Sequence, residues 1–543
     1  MANALEIPEI RLRIGLFLAS CELAACTRVS RSWNDTFTVL LWRVCSVISH
    51  SSRNPTLEAL NKHADQIRDL RYYGHINHGY FSPECSRLAS LTVDGDWTLA
   101  LESSIEVSVK LSHLIQKNQS TLTHFQFGDH HAFLSAIIWN AMAACPNIEF
   151  IQLRHSLVNQ RDMEAFWEAC SKVETLHLIC PALFSLRFGF KTGLTTRVPV
   201  LLPKLRHLKM EGIDGISNVE QLQVVMRAPN LCSLDWTAAM DPESPQFPQD
   251  AYQEMMSTRA CPQLKDLAIS EIFMSDDNIA LALNAMTTAE GLRLGWCGFA
   301  ENGFRSLIPR HSKTIRVLEL AQAYDMTSAM VQEILCSCPL LEVVRLDRIQ
   351  GTELVQFEQG EAAFDPKNGD VPKATVGRDW VCLGLKSLSM SFDLSASNSD
   401  ATRDHIASDI STDDEDPRRK QYELEQYHAF RQISRLSRLE TLDFGDMNTG
   451  RPKPAAQNLD LRLRERGGGL QALASLRKLK LLRFFYTSQE LGEEEIDWMV
   501  DHWPRFYMLL GYLHPDGERD RELRDYFRRR RNPANAFSVR SLI

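Results

Sequence analysis

The sequence predicts an α/β solenoid: a parallel sheet built one strand per turn, with helices on the outside. Three observations carry this. The nine-residue phrase Cys338–Leu346 (CPLLEVVRL) recurs at Cys145–Leu153 and Cys261–Ile269, and in looser form at Cys170–Leu178, Leu202–Met210 and Ala228–Trp236. Its last apolar residues, Val344 and Leu346, alternate as in a short strand with one buried face. A helical apolar pattern (Met330, Ile334, Leu335) runs up to it and is ended by Pro339.

Bulk composition fits such a chain. The 543 residues suffice for a large core, and 44% hydrophobic with 24% charged residues is ordinary for a folded protein. A formal charge of −9 argues against a nucleic-acid binder, which carries a basic face. No apolar run reaches the roughly 18 residues of a membrane helix. Glu6, Glu9, Arg11 and Arg13 interrupt any signal-peptide pattern. The expected location is the cytosol or nucleus.

Residues 5–43 lack the repeat. Pro8 suits the first turn of a helix. Ile10, Ile14 and Phe17/Leu18 follow at helical spacing. Ser20 is a candidate N-cap for a second helix carrying Leu23 and Cys26. Val29, Trp33, Phe37 and Leu40 outline a third. Three short helices cannot bury this many large apolar groups alone, and surplus apolar surface on a small module marks a partner site.

The stretch Ile7-Pro8-Glu9-Ile10, Ile14, Leu18, Glu22-Leu23, Val29-Ser30-Arg31-Ser32-Trp33-Asn34 and Leu41-Trp42-Arg43 resembles the F-box. It departs from the family's pattern at Ile7 (usually Leu), at Glu22 (usually Asp) and by one residue fewer between Pro8 and Ile10. The resemblance implies docking to the Skp adaptor of a Skp–cullin–F-box ubiquitin ligase. Pro8, Ile10, Ile14, Leu18, Leu23 and Val29 would pack on the adaptor, with Trp33 and Trp42 partly internal. A plain three-helix cap on the solenoid is the alternative.

Aligned on the first apolar position of L-x-x-L-x-L, the array gives fourteen units, at Ile67, Leu88, Leu122, Ile148, Val173, Leu205, Leu231, Leu264, Ala289, Ile315, Leu341, Leu385, Leu439 and Leu479. Six gaps are 25 or 26 residues, the period of a leucine-rich repeat, whose strands form a curved parallel sheet on the concave face. The whole resembles F-box proteins with carboxy-terminal leucine-rich repeats. The expected domains are 1–45, the three-helix module; 46–490, the solenoid, with loop insertions near 347–380, 391–430 and 446–472; and 491–543, a cap and basic tail.

Cys85, Cys145, Cys170, Cys261, Cys338 and Cys382 each lie three positions before their unit's first apolar residue, where other units have Ala64, Ala228 or Ser312. A recurring small residue marks a tight corner, and cysteines on separate turns cannot gather round one metal. No cofactor or metal site is expected. No nucleophile elbow, phosphate loop or zinc-protease motif is present, and a repeat array with an adaptor-docking head needs none, so the chain is expected to be no enzyme.

The residue after each unit's second apolar position faces outward on its strand: Arg71, Thr92, Gln126, Gln152, His177, Lys209, Asp235, Ala268, Arg293, Glu319, Arg345, Ser389, Asp443 and Arg483. This row is mixed in charge, unlike a phosphate-backbone surface. Arg293, Glu319 and Arg345 fall on consecutive strands and either bracket an acidic group of a target or satisfy one another. Arg483 and Phe485, with Phe484 and Tyr486, are either a second target-binding group or the core at the end of the array.

The last units are spread by insertions. Residues 393–416 hold eight acidic groups against one Arg and read as disordered. Gly467-Gly468-Gly469 reads as a linker. After Leu491, Ile496, Trp498, Met499 and Trp503 outline a terminal helix capping the last turn. Arg528–Arg531 is either a nuclear-import signal or a solvated tail. The function expected is target recognition for a ubiquitin ligase. The competing reading is a leucine-rich-repeat scaffold with no ligase.

Overall fold

The structure is a computed structural model; it describes residues 7–49, 51–74, 80, 84–95, 101–128, 133–158, 160–180, 201–213, 216–238, 247–323, 325–346, 378–390, 417–445, 459–463 and 469–531. The chain divides into two compact units, Met1–Leu264 and Lys265–Ile543.

The first unit opens with three helices, Pro8–Gly15, Ser20–Cys26 and Arg31–Arg43. Pro8 stands in the first turn, where its missing N–H costs nothing. The cap of the second helix is Ala19, whose N–H donates to Glu22 Oε2 at 2.7 Å, with Ser20 already inside the helix. Ser30 Oγ caps the third by accepting from the Trp33 N–H at 3.2 Å. The first helix crosses the third at Gly15, where a Cβ would collide with Leu40 and Phe37.

Parallel strands then follow in chain order: Val44–Ile48, Asp69–Tyr73, Ser90–Asp94, His124–Gly128, Phe150–Arg154, Thr175–Ile179, His207–Glu211 and Ser233–Thr237. The second unit continues the pattern with Asp266–Ser270, Gly291–Leu294, Val317–Leu320, Val343–Leu346, Ser387–Met390, Thr441–Asp443, Leu481–Ser488 and Met508–Tyr512. All fourteen aligned units are strands, including the weak ones at Leu88, Leu122 and Ala289. Their first apolar residues are buried without exception. Each turn therefore hides its apolar stripe beneath its neighbours, as a stack of strand–helix turns must. This is an α/β leucine-rich-repeat solenoid.

Strands reach beyond residues 46–490 at both ends. Val44–Ile48 pairs in parallel with Asp69–Tyr73, and Met508–Tyr512 with Leu481–Ser488. The helix Glu493–His502 is accordingly not the terminal element, because a further strand and the helix Gly517–Arg531 follow it. Arg528–Arg531 form that helix's last turn rather than a loose tail. Arg530 pairs with Asp497 at 2.8 Å and Asp501 at 3.1 Å.

Of the insertions, residues 347–377, 391–416 (with the acidic run 393–416), 446–458 and 464–468 lie outside the described residues. The second expected loop, 391–430, is a loop at most to 416: Pro417–Ser434 is a helix of 18 residues, with Ala429, Phe430 and Ile433 buried.

Polar groups tie successive turns together. The buried Asn118 side chain accepts from the Leu88 N–H at 2.7 Å and donates to the carbonyls of Cys85 and Leu114 at 2.9 and 2.8 Å. His311, fully buried, accepts from the Ala289 N–H at 3.1 Å through Nδ1 and reaches the Leu283 carbonyl through Nε2 at 2.8 Å. Asp276 accepts from the N–H groups of Ala300, Asn302 and Gly303 at 2.9, 2.7 and 2.8 Å, capping the next helix, Glu301–His311. Several strands exit through a left-handed residue, among them Gly74 (φ 77°), Gly212 (φ 57°), Glu271 (φ 62°) and Gln322 (φ 55°).

Candidate protein-binding surfaces

The outward row of the sheet is in register throughout each unit. Ser46, Arg71, Thr92, Gln126, Gln152, His177, Lys209 and Asp235 lie side by side in the first. Ala268, Arg293, Glu319, Arg345, Ser389, Asp443, Arg483 and Leu510 do so in the second.

On the first unit, Lys209 Nζ reaches Glu211 at 3.0 Å and Asp235 at 3.6 Å. Phe150 sits between His124 and His177, with ring centroids 5.6 and 5.1 Å away. Burial, with Lys209 nearby, holds His177 below the usual histidine value, so it is neutral at pH 7.

On the second unit, register brings Arg293, Glu319 and Arg345 together on adjacent strands. Arg293 Nε is 3.8 Å from Glu319 Oε1, a loose pair on an open face. Arg483 and Phe485 are not part of that group, for the strands of Ser389 and Asp443 stand between. Arg483 is held by the buried Asp443 carboxylate at 3.3 Å, and its guanidinium lies 6.0 Å from the Phe485 ring centre. Phe484 is wholly inside, stacked on Phe444 at 5.9 Å. Phe485 is half-buried.

Among the described residues, the three-helix module exposes many large apolar side chains. Pro8 and Ile14 are exposed, Ile10 is 36%, Val29 63% and Phe17 89% exposed, and Leu18 is half-buried. Leu23, at 7%, points inward. Its role in the isolated chain is therefore to hold the helices together, not to present surface. Trp33 and Trp42 are half-buried: Trp33 packs on Phe37 at 5.3 Å, and Trp42 stacks on His63 at 4.5 Å. Leu12, Leu16 and Val39 add to the exposed set. Helical spacing alone could have flagged them.

The corner cysteines behave as small apolar groups. Cys145 donates to the Ala141 carbonyl at 3.4 Å, and Cys261 to Val225 and Ala228 at 3.5 Å. Burial pushes the thiols of Cys85, Cys261, Cys338 and Cys382 up to about 12, so they stay protonated at neutral pH. Among the described residues no group of three His, Cys, Asp or Glu side chains could hold a metal ion, and no helix is long and apolar enough to cross a membrane.

No family model and no curated protein matches the chain. Among solved structures, a leucine-rich-repeat protein of Leptospira interrogans superposes with a TM-score of 0.40 at 13% identity, covering 83% of this chain and 98% of its own. The yeast Rad7–Elc1 complex gives 0.33 at 12% identity, covering 63% and 88%. Both scores lie below one half, and neither neighbour bears on what this chain binds. The strand and helix stack itself defines the class, a leucine-rich-repeat protein, a fold that generally binds other proteins rather than performing chemistry.

Proposed function

We propose that this chain is the target-recognition subunit of a Skp–cullin–F-box ubiquitin ligase. The three-helix module docks on the Skp adaptor, and the outward face of the sheet holds a target protein. The observation that carries the reading is the apolar surface of residues 7–43: Ile10, Ile14, Phe17 and Val29 all face solvent. Surface of this kind on a small module marks a partner site, and the F-box-like spacing says which partner. The chain then needs no active site. It raises the target's effective concentration beside the charged conjugating enzyme. Cytosol and nucleus both suit this role.

The test is co-purification of the full chain with the Skp adaptor and cullin, beside a variant carrying Ile10→Asp and Val29→Asp. Val29 is 63% exposed and Ile10 36%, so circular dichroism of the variant checks that it keeps its fold. Wild type is expected to retain the adaptor and the variant to lose it. Leu23 is a poor probe, because a charge there would be buried and would unfold the module. A folded wild type that retains no adaptor makes the module a cap and leaves the scaffold reading in place.

A further inference from the structure

Two neighbouring turns of the second unit hold aromatic rings out to solvent just past their strands. Phe273 follows the strand Asp266–Ser270 and is 42% exposed; Trp296 follows Gly291–Leu294 and is 47% exposed. Their ring centroids are 5.7 Å apart with planes at 69°, an edge-to-face pair. The backbone beneath is tied down. The Met274 N–H donates to the Trp296 carbonyl at 3.0 Å, and the Gly298 N–H to the Met274 carbonyl at 2.9 Å. Met274 and Cys297 form a parallel bridge, and both side chains are buried with Phe299. The rings are outside because a hydrogen-bonded ladder holds them there.

A carboxylate completes the arrangement. A Cβ on Gly298 would lie 3.1 Å from Phe273 Cζ and 3.4 Å from Asp325 Oδ2, so ring edge and carboxylate both crowd this glycine. Asp325 is exposed and pairs with no cation among the described residues. Glu271, in the left-handed region at φ 62°, adds a second carboxylate to the Phe273 loop. Exposed aromatic faces attract cations, and an adjacent carboxylate strengthens the hold through charge-assisted hydrogen bonds. An anionic group would be repelled here, and a purely apolar one would strip water from Asp325 without replacing it.

We propose that Phe273, Trp296 and Asp325 form a docking site for an Arg or Lys side chain of a partner protein. The site lies within one unit and does not depend on adaptor docking by the three-helix module.

The test uses the full chain and a fluorescein-labelled peptide of alternating Arg and Ser, read by fluorescence polarisation at low salt. A peptide with Glu in place of Arg is the control. Wild type binds the Arg peptide and not the Glu peptide. Trp296→Ala and Asp325→Asn each weaken binding about ten-fold, while Glu164→Gln, an exposed carboxylate on the first unit, leaves it unchanged. Trp296 and Asp325 are both exposed, so an unchanged denaturation midpoint accompanies these losses. The proposal is overturned by absence of Arg-peptide binding. It is equally overturned if Trp296→Ala binds as wild type does, or if Glu164→Gln weakens binding as much as Asp325→Asn, which would make the attraction one of bulk negative charge.

Discussion

The three-helix module and the repeat array use the same aliphatic residues to opposite ends. In the array, Leu318, Leu341 and Leu388 are wholly inside, each covered by the turns before and after. In the module, Ile10 and Ile14 are spaced as regularly along the helix Pro8–Gly15, and Val29 sits in the turn before the helix Arg31–Arg43, yet all three are exposed. The difference is neighbours. A turn of the array has another turn on each side. The module has about one core's worth of space, filled by Leu23 and Phe37, and among the described residues the rest of its apolar surface stays exposed. Apolar periodicity thus reports which face is shared, but not with whom.

The largest expected effect lies in the array. Leu341→Ala removes a fully buried side chain at the start of the turn whose strand, Val343–Leu346, pairs with Val317–Leu320. It should cost about 2–5 kcal/mol, a lost transfer term plus a cavity that close neighbours cannot fill. Chemical denaturation of the purified variant measures this. A cost under about 1 kcal/mol would mean that the turns are not packed as a continuous core.

That continuity is what the sequence expressed best. Each turn repeats one structural position, so a buried leucine, a corner cysteine and an outward residue recur at fixed offsets, and all fourteen aligned units are strands. The two terminal strands escaped because their phrases are degraded. In the first, Trp42, Cys45 and Val47 take the three apolar positions, and Trp42 also belongs to the helix Arg31–Arg43. In the last, Gly511 replaces the third apolar residue. The Phe484 ring fills that space so fully that a Cβ there would collide with it. The row Arg293, Glu319 and Arg345 was legible because register follows from the period. The Phe273–Trp296 pair was not, because it lies in loops past the periodic phrase, and its spacing depends on the bridge between Met274 and Cys297. The burial of Leu23 depends on how three helices cross, which spacing along one helix does not encode.

A second contrast is electrostatic. His311 is buried in the array, and burial holds its pKa below the ordinary 6.5. Its Nδ1 accepts from the Ala289 N–H, so protonation must break that bond. The folded state disfavours the proton, and the unfolded state takes it up below about 6.5. The stability owed to neutral His311 is therefore complete above about pH 6.5 and is lost as pH falls toward and through the depressed folded value. His311→Gln offers an acceptor and a donor but does not titrate. It should show a smaller fall in thermal midpoint between pH 7 and pH 5.5 than wild type, though it starts from a lower midpoint. Equal falls would assign the acid sensitivity to other groups, such as His177 or His428, which burial also depresses.

The smallest effect belongs to the module. Val29 is 63% exposed, so Val29→Ser should change stability by no more than about 0.5 kcal/mol in either direction. Set beside Leu341→Ala, this near-zero value separates two kinds of apolar residue that look alike in sequence. Selection for folding accounts for Leu341. On that expectation it does not account for Val29, whose exposure carries a risk of aggregation. A measured loss of 2 kcal/mol or so for Val29→Ser would break the comparison, because Val29 would then be part of a core and the module would have no surplus surface to offer. A null result leaves an exposed valine with no work to do inside the chain, which is the condition that a docking surface requires.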